Sequence, residues 1–175
     1  MFRVIYAYIV RPKSILNSLD QYRLGPASTL VLCLIAAGSL SGADHGNVIM
    51  AFGAQVILIA SLLMIQAFVT DFFAQLSGLA ANSLKLFQLF TLSLLPFLAE
   101  PALNGLLGVP HIGIFVGLIS AALFVYTLYL QLISVKALYR IETSKAILIY
   151  CVPALIILAA VFVVVIAAIY QVGFL

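Results

Sequence analysis

The run Val161–Ala168 (VFVVVIAA) is apolar throughout, and four further long apolar stretches precede it in a chain of 175 residues. That continuity limits the fold more than any other feature. In hydrocarbon every backbone N–H and C=O must be paired within the protein, so only helices or closed barrels can span. Barrel strands alternate apolar and polar residues, and these stretches do not alternate. Helices are therefore expected. Composition agrees: 66% of the residues are hydrophobic and 7% charged, against about 25% charged in soluble domains. A water-soluble fold of this length has no interior large enough to hide so much apolar surface.

The stretches run from about Ala27 to Gly42, Asn47 to Phe73, Leu84 to Leu107, Ile112 to Val135 and Ser144 to Val172. The expected fold class is an all-α, polytopic transmembrane bundle of five spans with a short N-terminal interfacial helix. The first stretch is short beside the ~20 residues that a bilayer requires. Residues 1–26 form a polar N-terminal segment, and residues 27–175 form one membrane domain. Within the former, Ser14–Tyr22 sets Ile15, Leu16, Leu19 and Tyr22 at helical spacing with Asn17, Ser18, Asp20 and Gln21 between them. Such a pattern suits a helix lying in the lipid–water interface. A cleaved signal peptide ending near Gly38–Ala43 is the lesser reading, because the polar region before it is long. The connections Ala43–Gly46, Ala74–Ser83, Gly108–His111 and Lys136–Thr143 are short, so successive helices are antiparallel neighbours. Thr143 is a candidate N-cap for the last helix.

Charge sets the orientation. Five spans put Arg3, Arg11, Lys13, Arg23, Lys85, Lys136, Arg140 and Lys145 on one side, which is every Lys and Arg in the chain. Asp44, His45, Glu100 and His111 fall on the other. Basic loops stay cytoplasmic, so the N-terminus is expected inside and the C-terminus outside. The net charge of +3 is dispersed and contains no basic run, which gives no nucleic-acid surface. Cys33 and Cys151 lie in apolar stretches and suit packing better than a disulfide.

Several residues are candidates for more than packing. Gly113, Gly117 and Ala121 repeat every four residues and permit close helix approach, within the bundle or in a homodimer. Pro96 and Pro101 each delete a backbone donor, leaving carbonyls near Leu92 and Phe97 in need of partners. Glu100 between them lines a polar cavity or reaches the headgroups. Asp71 suits an interfacial ion pair with Lys85 or Lys145. Gln55, Gln66 and Gln131 can hydrogen-bond between helices, and Glu100, Asp71 and Gln66 together are candidates for a polar cavity. Tyr126, Tyr129 and Tyr139 approach the inner interface, and part of that set fits an aromatic belt. Asp44, His45, Glu100 and His111 are metal-ligand types without a metal-site spacing. No nucleophile with its base is assembled by any motif, and no cofactor or metal is expected.

The order of segments resembles the Yip family of five-span, Rab-interacting membrane proteins and their bacterial relatives. The likeness runs from about Ile9 to Tyr170. Tyr8–Leu19 (YIVRPKSILNSL) is similar to the family's opening segment. Asp20–Pro26 (DQYRLGP) resembles an Asp-Leu-Tyr-Gly-Pro motif through Asp20, Tyr22, Gly25 and Pro26. Leu76–Pro96 has the family's loop glycine, Gly78, before a span containing Pro96, although Phe90-Thr91 stands where eukaryotic members show Gly-Tyr. Tyr129–Ala146 resembles the last hairpin and ends on Ser144-Lys145-Ala146. The resemblance implies five spans, a cytoplasmic N-terminus and, in eukaryotic members, Rab GTPase and trafficking partners. Those members have a long cytosolic extension that residues 1–26 do not match, so Rab binding is not expected. The compact form resembles bacterial members, which points to the inner membrane. The expected function is non-enzymatic: association with other membrane proteins or with itself, or membrane organisation through the N-terminal helix. The rival is a small transporter or channel built on the Pro96–Pro101 break and Glu100.

Overall fold

The computed structural model describes residues 8, 12, 24–40, 47–106, 113–153 and 155. Among them the secondary structure is helical, with no strand. The expected interfacial helix Ser14–Tyr22 with Asp20, the residues Asp44, His45 and His111, and the run Val161–Ala168 lie outside the described residues.

The helices are α1 (Leu24–Ser39), α2 (Val48–Leu76), α3 (Ser83–Ser93), α4 (Glu100–Gly105) and α5 (Gly113–Tyr139), with a 3-10 segment, Leu95–Ala99, between α3 and α4. A sixth, α6, covers residues 143–153. Val48–Leu76, Ser83–Gly105 and Gly113–Tyr139 are each long and apolar enough to cross a membrane. With 29 residues, α2 is about 43 Å long, which exceeds the ~30 Å hydrocarbon core. With 16 residues, α1 spans only about 24 Å. It begins three residues earlier than the hydropathy of its sequence indicates and takes in Gly25 and Pro26.

Outward-facing side chains are as apolar as the core. Ile49 is 83% exposed and Ile114 78%, and Phe68, Phe72, Phe115 and Leu118 also face out. Apolar faces on both sides of a helix mark burial in lipid. The inner core is built around α3, which packs on α1, α2 and α5. One side of α3 presents Leu89 and Leu92 to Ala27 and Val31 of α1, Leu130 of α5 and Tyr8. The other presents Leu86 and Phe90 to Leu63 and Ala67 of α2, Val135 of α5 and Ala146 and Ile149 of α6. Lys145-Ala146 thus divides its roles: Ala146 is buried and Lys145 exposed.

Turn chemistry closes the helices locally. After α2, the Gly78 N–H bonds the Gln75 carbonyl at 2.8 Å and the Leu79 N–H bonds the Ala74 carbonyl at 3.1 Å. This paired closure needs a left-handed residue, and Gly78 supplies it at φ +81°. After α5, Arg140 takes the same role at φ 53°, and the Ile141 N–H reaches the Lys136 carbonyl at 3.2 Å. A side chain in that region costs about 1 kcal/mol or more. Thr143 is not the cap of α6. It is the first helical residue, the Ala146 N–H bonds the Glu142 carbonyl at 3.0 Å, and the Thr143 hydroxyl accepts from Lys136 Nζ at 2.7 Å.

The two prolines break the third apolar stretch as their missing donors require. Pro96 cannot serve the Leu92 carbonyl, and the helix stops at Ser93. The Leu94 N–H turns to the Leu92 and Thr91 carbonyls. Pro101 cannot serve the Phe97 carbonyl, which accepts from the Glu100 N–H instead. At Pro101 a 3-10 bond thus serves the carbonyl that the proline cannot.

Candidate functional site

Polar side chains among the described residues occur at three depths. The deepest group joins α2, α5 and α6. Gln66 Nε2 donates to Gln131 Oε1 at 3.2 Å and lies 3.4 Å from the Tyr150 hydroxyl, and Tyr150 also donates to Gln131 Oε1. Gln131 is buried, and the Tyr150 ring stands edge-on to Phe90 at 6.1 Å. Gln66 and Gln131 do bond between helices, as their positions indicated. Gln55 takes no part. Tyr150 was not foreseen, although a phenol in an apolar stretch always needs a partner for its hydroxyl.

The second group lies about 8 Å before the end of α2. Asp71 is 2% exposed. Its Oδ1 accepts from the Asn82 backbone N–H at 2.9 Å and from the Tyr139 hydroxyl, and its Oδ2 accepts from Gln75 Nε2 at 2.9 Å. The carboxylate thus ties the end of α2 to the start of α3 and the end of α5, and neutral donors hold it. Lys145 lines a different recess of about 210 Å³ with Ser77, Leu79, Ile141, Leu148 and Ile149. Tyr139 belongs to this tie rather than to a belt, whereas Tyr126 and Tyr129 stack on each other at 6.3 Å.

Tyr8 belongs to neither group. It is fully buried, its hydroxyl lies 2.8 Å from Ser134 Oγ, and Ser134 Oγ donates to the Leu130 carbonyl at 2.7 Å. The Tyr8 hydroxyl also lies 3.5 Å from the Leu89 carbonyl. Burial raises the phenol above its usual range, against the smaller opposing effect of the Ser134 bond, so it stays neutral. Tyr8 is thereby held against α3 and α5.

The third group is at the opposite end, where α1 meets α4. Glu100, Asn104 and Ser39 line a pocket of about 120 Å³ together with Leu34, Ile35, Gly38, Phe97, Leu98 and Pro101. A Cβ on Gly38 would sit 2.9 Å from Pro101 Cγ, so this glycine permits the close approach that shapes the pocket. Of the three polar-cavity candidates, Glu100 lines this pocket and the other two do not. Asp71 and Gln66 belong to the separate groups above.

The small-residue repeat faces outward. Gly113, Gly117 and Ala121 are exposed, and among the described residues nothing lies within 4 Å of a Cβ built on either glycine. Ala121 continues into a shallow apolar concavity with Ala122, Val125, Tyr126 and Tyr129. Among the described residues no group of His, Cys, Asp and Glu is arranged to hold a metal ion. Cys33 and Cys151 are free thiols.

Comparison with family models, with curated proteins and with solved structures finds no match.

Proposed function

We propose that the chain is a non-enzymatic, multi-pass membrane protein of the Yip type, acting by helix-mediated association within the membrane. One observation carries this reading: the face of α5 bearing Gly113, Gly117 and Ala121 is exposed, with no described helix against it. Small residues on a lipid-facing surface let a second helix approach closely and gain van der Waals contact. The proposed partner is a second copy or another membrane protein. Five spans, a cytoplasmic N-terminus and residence in a bacterial inner membrane belong to the same reading. Their support is the segregation of all Lys and Arg in the sequence. The test is crosslinking in native membranes through a cysteine placed at Ala121. Specific crosslinked pairs that vanish in Gly117→Leu are expected. A chain that stays monomeric and captures no partner overturns the reading.

A second reading is a small transporter or channel. It is favoured by Glu100 lining a pocket beside a helix broken at Pro96 and Pro101. Reconstituted liposomes decide it: flux abolished by Glu100→Gln supports transport, and no flux across a broad ion and metabolite panel excludes it.

A further inference from the structure

We infer that the pocket between α1 and α4 binds the primary ammonium group of an aminophospholipid headgroup, a role independent of association through α5. The first argument is charge. Among the described residues none gives the Glu100 side chain a hydrogen bond or an ion pair. Lys85, Lys136, Arg140 and Lys145 belong to the other end of the bundle, beside the α2–α3 and α5–α6 turns. A carboxylate at the edge of hydrocarbon requires a counter-charge, and these lysines and arginines do not supply one there.

The second argument is depth. Between Ser83 and Glu100 lie ten further α-helical residues, Leu94 and five 3-10 residues, a rise of about 28 Å. The hydrocarbon core is ~30 Å thick. Glu100 therefore lies at the boundary of the leaflet opposite the basic end, level with the headgroups. The short α1 ends at the same level, with Gly38 against Pro101.

The third argument is donor and acceptor count. An ammonium offers three donors and no acceptor. The pocket offers three acceptors: the Glu100 carboxylate, the Asn104 amide oxygen, and Ser39 Oγ, which spends its own proton on the Ala36 carbonyl at 2.9 Å. An anionic headgroup meets a like charge here. A quaternary choline brings no N–H donor and leaves these acceptors unserved. A volume of about 120 Å³ equals roughly four waters, which accommodates an aminoethyl group.

The test is native mass spectrometry of the full chain in detergent with equimolar dioleoyl phosphatidylethanolamine, phosphatidylcholine and phosphatidylglycerol. Retention of phosphatidylethanolamine about tenfold over the other two is expected, the size of one charge-assisted hydrogen bond. Glu100→Gln should abolish the preference, and Ser39→Ala should reduce it while leaving Glu100 in place, so that a failure of the first variant to fold does not end the test. Equal retention of the three lipids, or a preference unchanged in both variants, overturns the inference. A further arm adds millimolar ethanolamine: displacement of the lipid assigns recognition to the amine alone, and persistence of the lipid assigns it to the whole headgroup with its chains.

Discussion

The tie at Asp71 makes a quantitative prediction. Three neutral donors converge on one buried carboxylate: the Tyr139 hydroxyl, the Asn82 N–H and Gln75 Nε2. Hydrogen bonds to a charged group contribute about 1.5–3 kcal/mol each. Tyr139→Phe deletes one of them and leaves the carboxylate with two. Because membrane-embedded polar groups find other partners when the protein unfolds, the lower part of that range applies. A loss of about 1.5 kcal/mol is expected. Asp71→Asn keeps one acceptor oxygen but turns the other position into an NH₂ donor that faces another donor. It should cost about 2–4 kcal/mol, one bond lost and one donor left bare. In the Asp71→Asn background the Tyr139 hydroxyl bonds a neutral amide oxygen instead of a carboxylate, so its removal should cost less there, and a coupling of about 0.5–1 kcal/mol should appear in the cycle. The assay is reversible unfolding in mixed micelles, read by helicity. Hydrogen exchange should show the Asn82 amide, at the start of α3, losing protection first. Changes below about 0.5 kcal/mol for both single variants, with no coupling, would refute the tie.

Other variants test the remaining contacts by the same unfolding assay. Gly38→Ala places a Cβ 2.9 Å from Pro101 Cγ and should cost about 1–3 kcal/mol through overpacking. Gly53→Ala, with nothing within 4 Å, should be neutral or stabilising, and equal effects at both positions would contradict the close approach. Gln131→Leu removes the acceptor shared by Gln66 and Tyr150 and should cost about 1 kcal/mol; an unchanged stability would show that the three side chains contribute nothing there. Thr127 Oγ1 is buried without a partner, so Thr127→Val, which keeps the shape, should be neutral or stabilise by up to about 1 kcal/mol. By contrast Ser134→Ala loses the links to Tyr8 and Leu130 and should destabilise.

How much of this was legible in sequence depended on the range of the cause. Local chemistry was readable. The carbonyls exposed by Pro96 and Pro101, the turn glycine Gly78 and the three long apolar helices follow from residues within a few positions of each other. Boundaries moved where tertiary contact extends a helix beyond its hydropathy. Thus α5 runs on to Tyr139, past the apolar limit at Val135, because Val135 is buried and Tyr139 reaches Asp71, 68 residues away in sequence. Partners of polar groups were the least legible part. Asp71 and a nearby lysine form an obvious pair on paper. The phenol that bonds it sits on another helix and carries no charge to announce it. The same holds for Tyr8, whose link to Ser134 spans 126 residues. The outward face of Gly113 and Gly117 was equally hidden, since their spacing reads alike for internal and external packing.

The polar groups follow a rule of depth that connects these cases. Gln66, Gln131 and Tyr150 lie about 10–15 Å in from the helix ends that flank the basic turns, and there the groups are neutral and satisfy one another. Hydroxyls at a similar depth in α3 turn back onto their own backbone, as Thr91 does on the Phe87 carbonyl at 2.9 Å and Ser93 on the Phe90 carbonyl at 2.6 Å, whereas Thr127 Oγ1, deeper in α5, has no partner among the described residues. Among the described residues a formal charge appears only toward an end, and at Asp71 three donors hold it there. Neutral partners suffice at depth because each amide or hydroxyl can be satisfied by one or two bonds, whereas a bare carboxylate in hydrocarbon costs several kcal/mol or titrates. Glu100 obeys the rule in depth, toward the far end of the third apolar stretch, but among the described residues it has none of the donors that Asp71 has. That contrast between two carboxylates, one fully served by its own chain and one lining a pocket with further acceptors, is what assigns the first to stability and the second to a ligand.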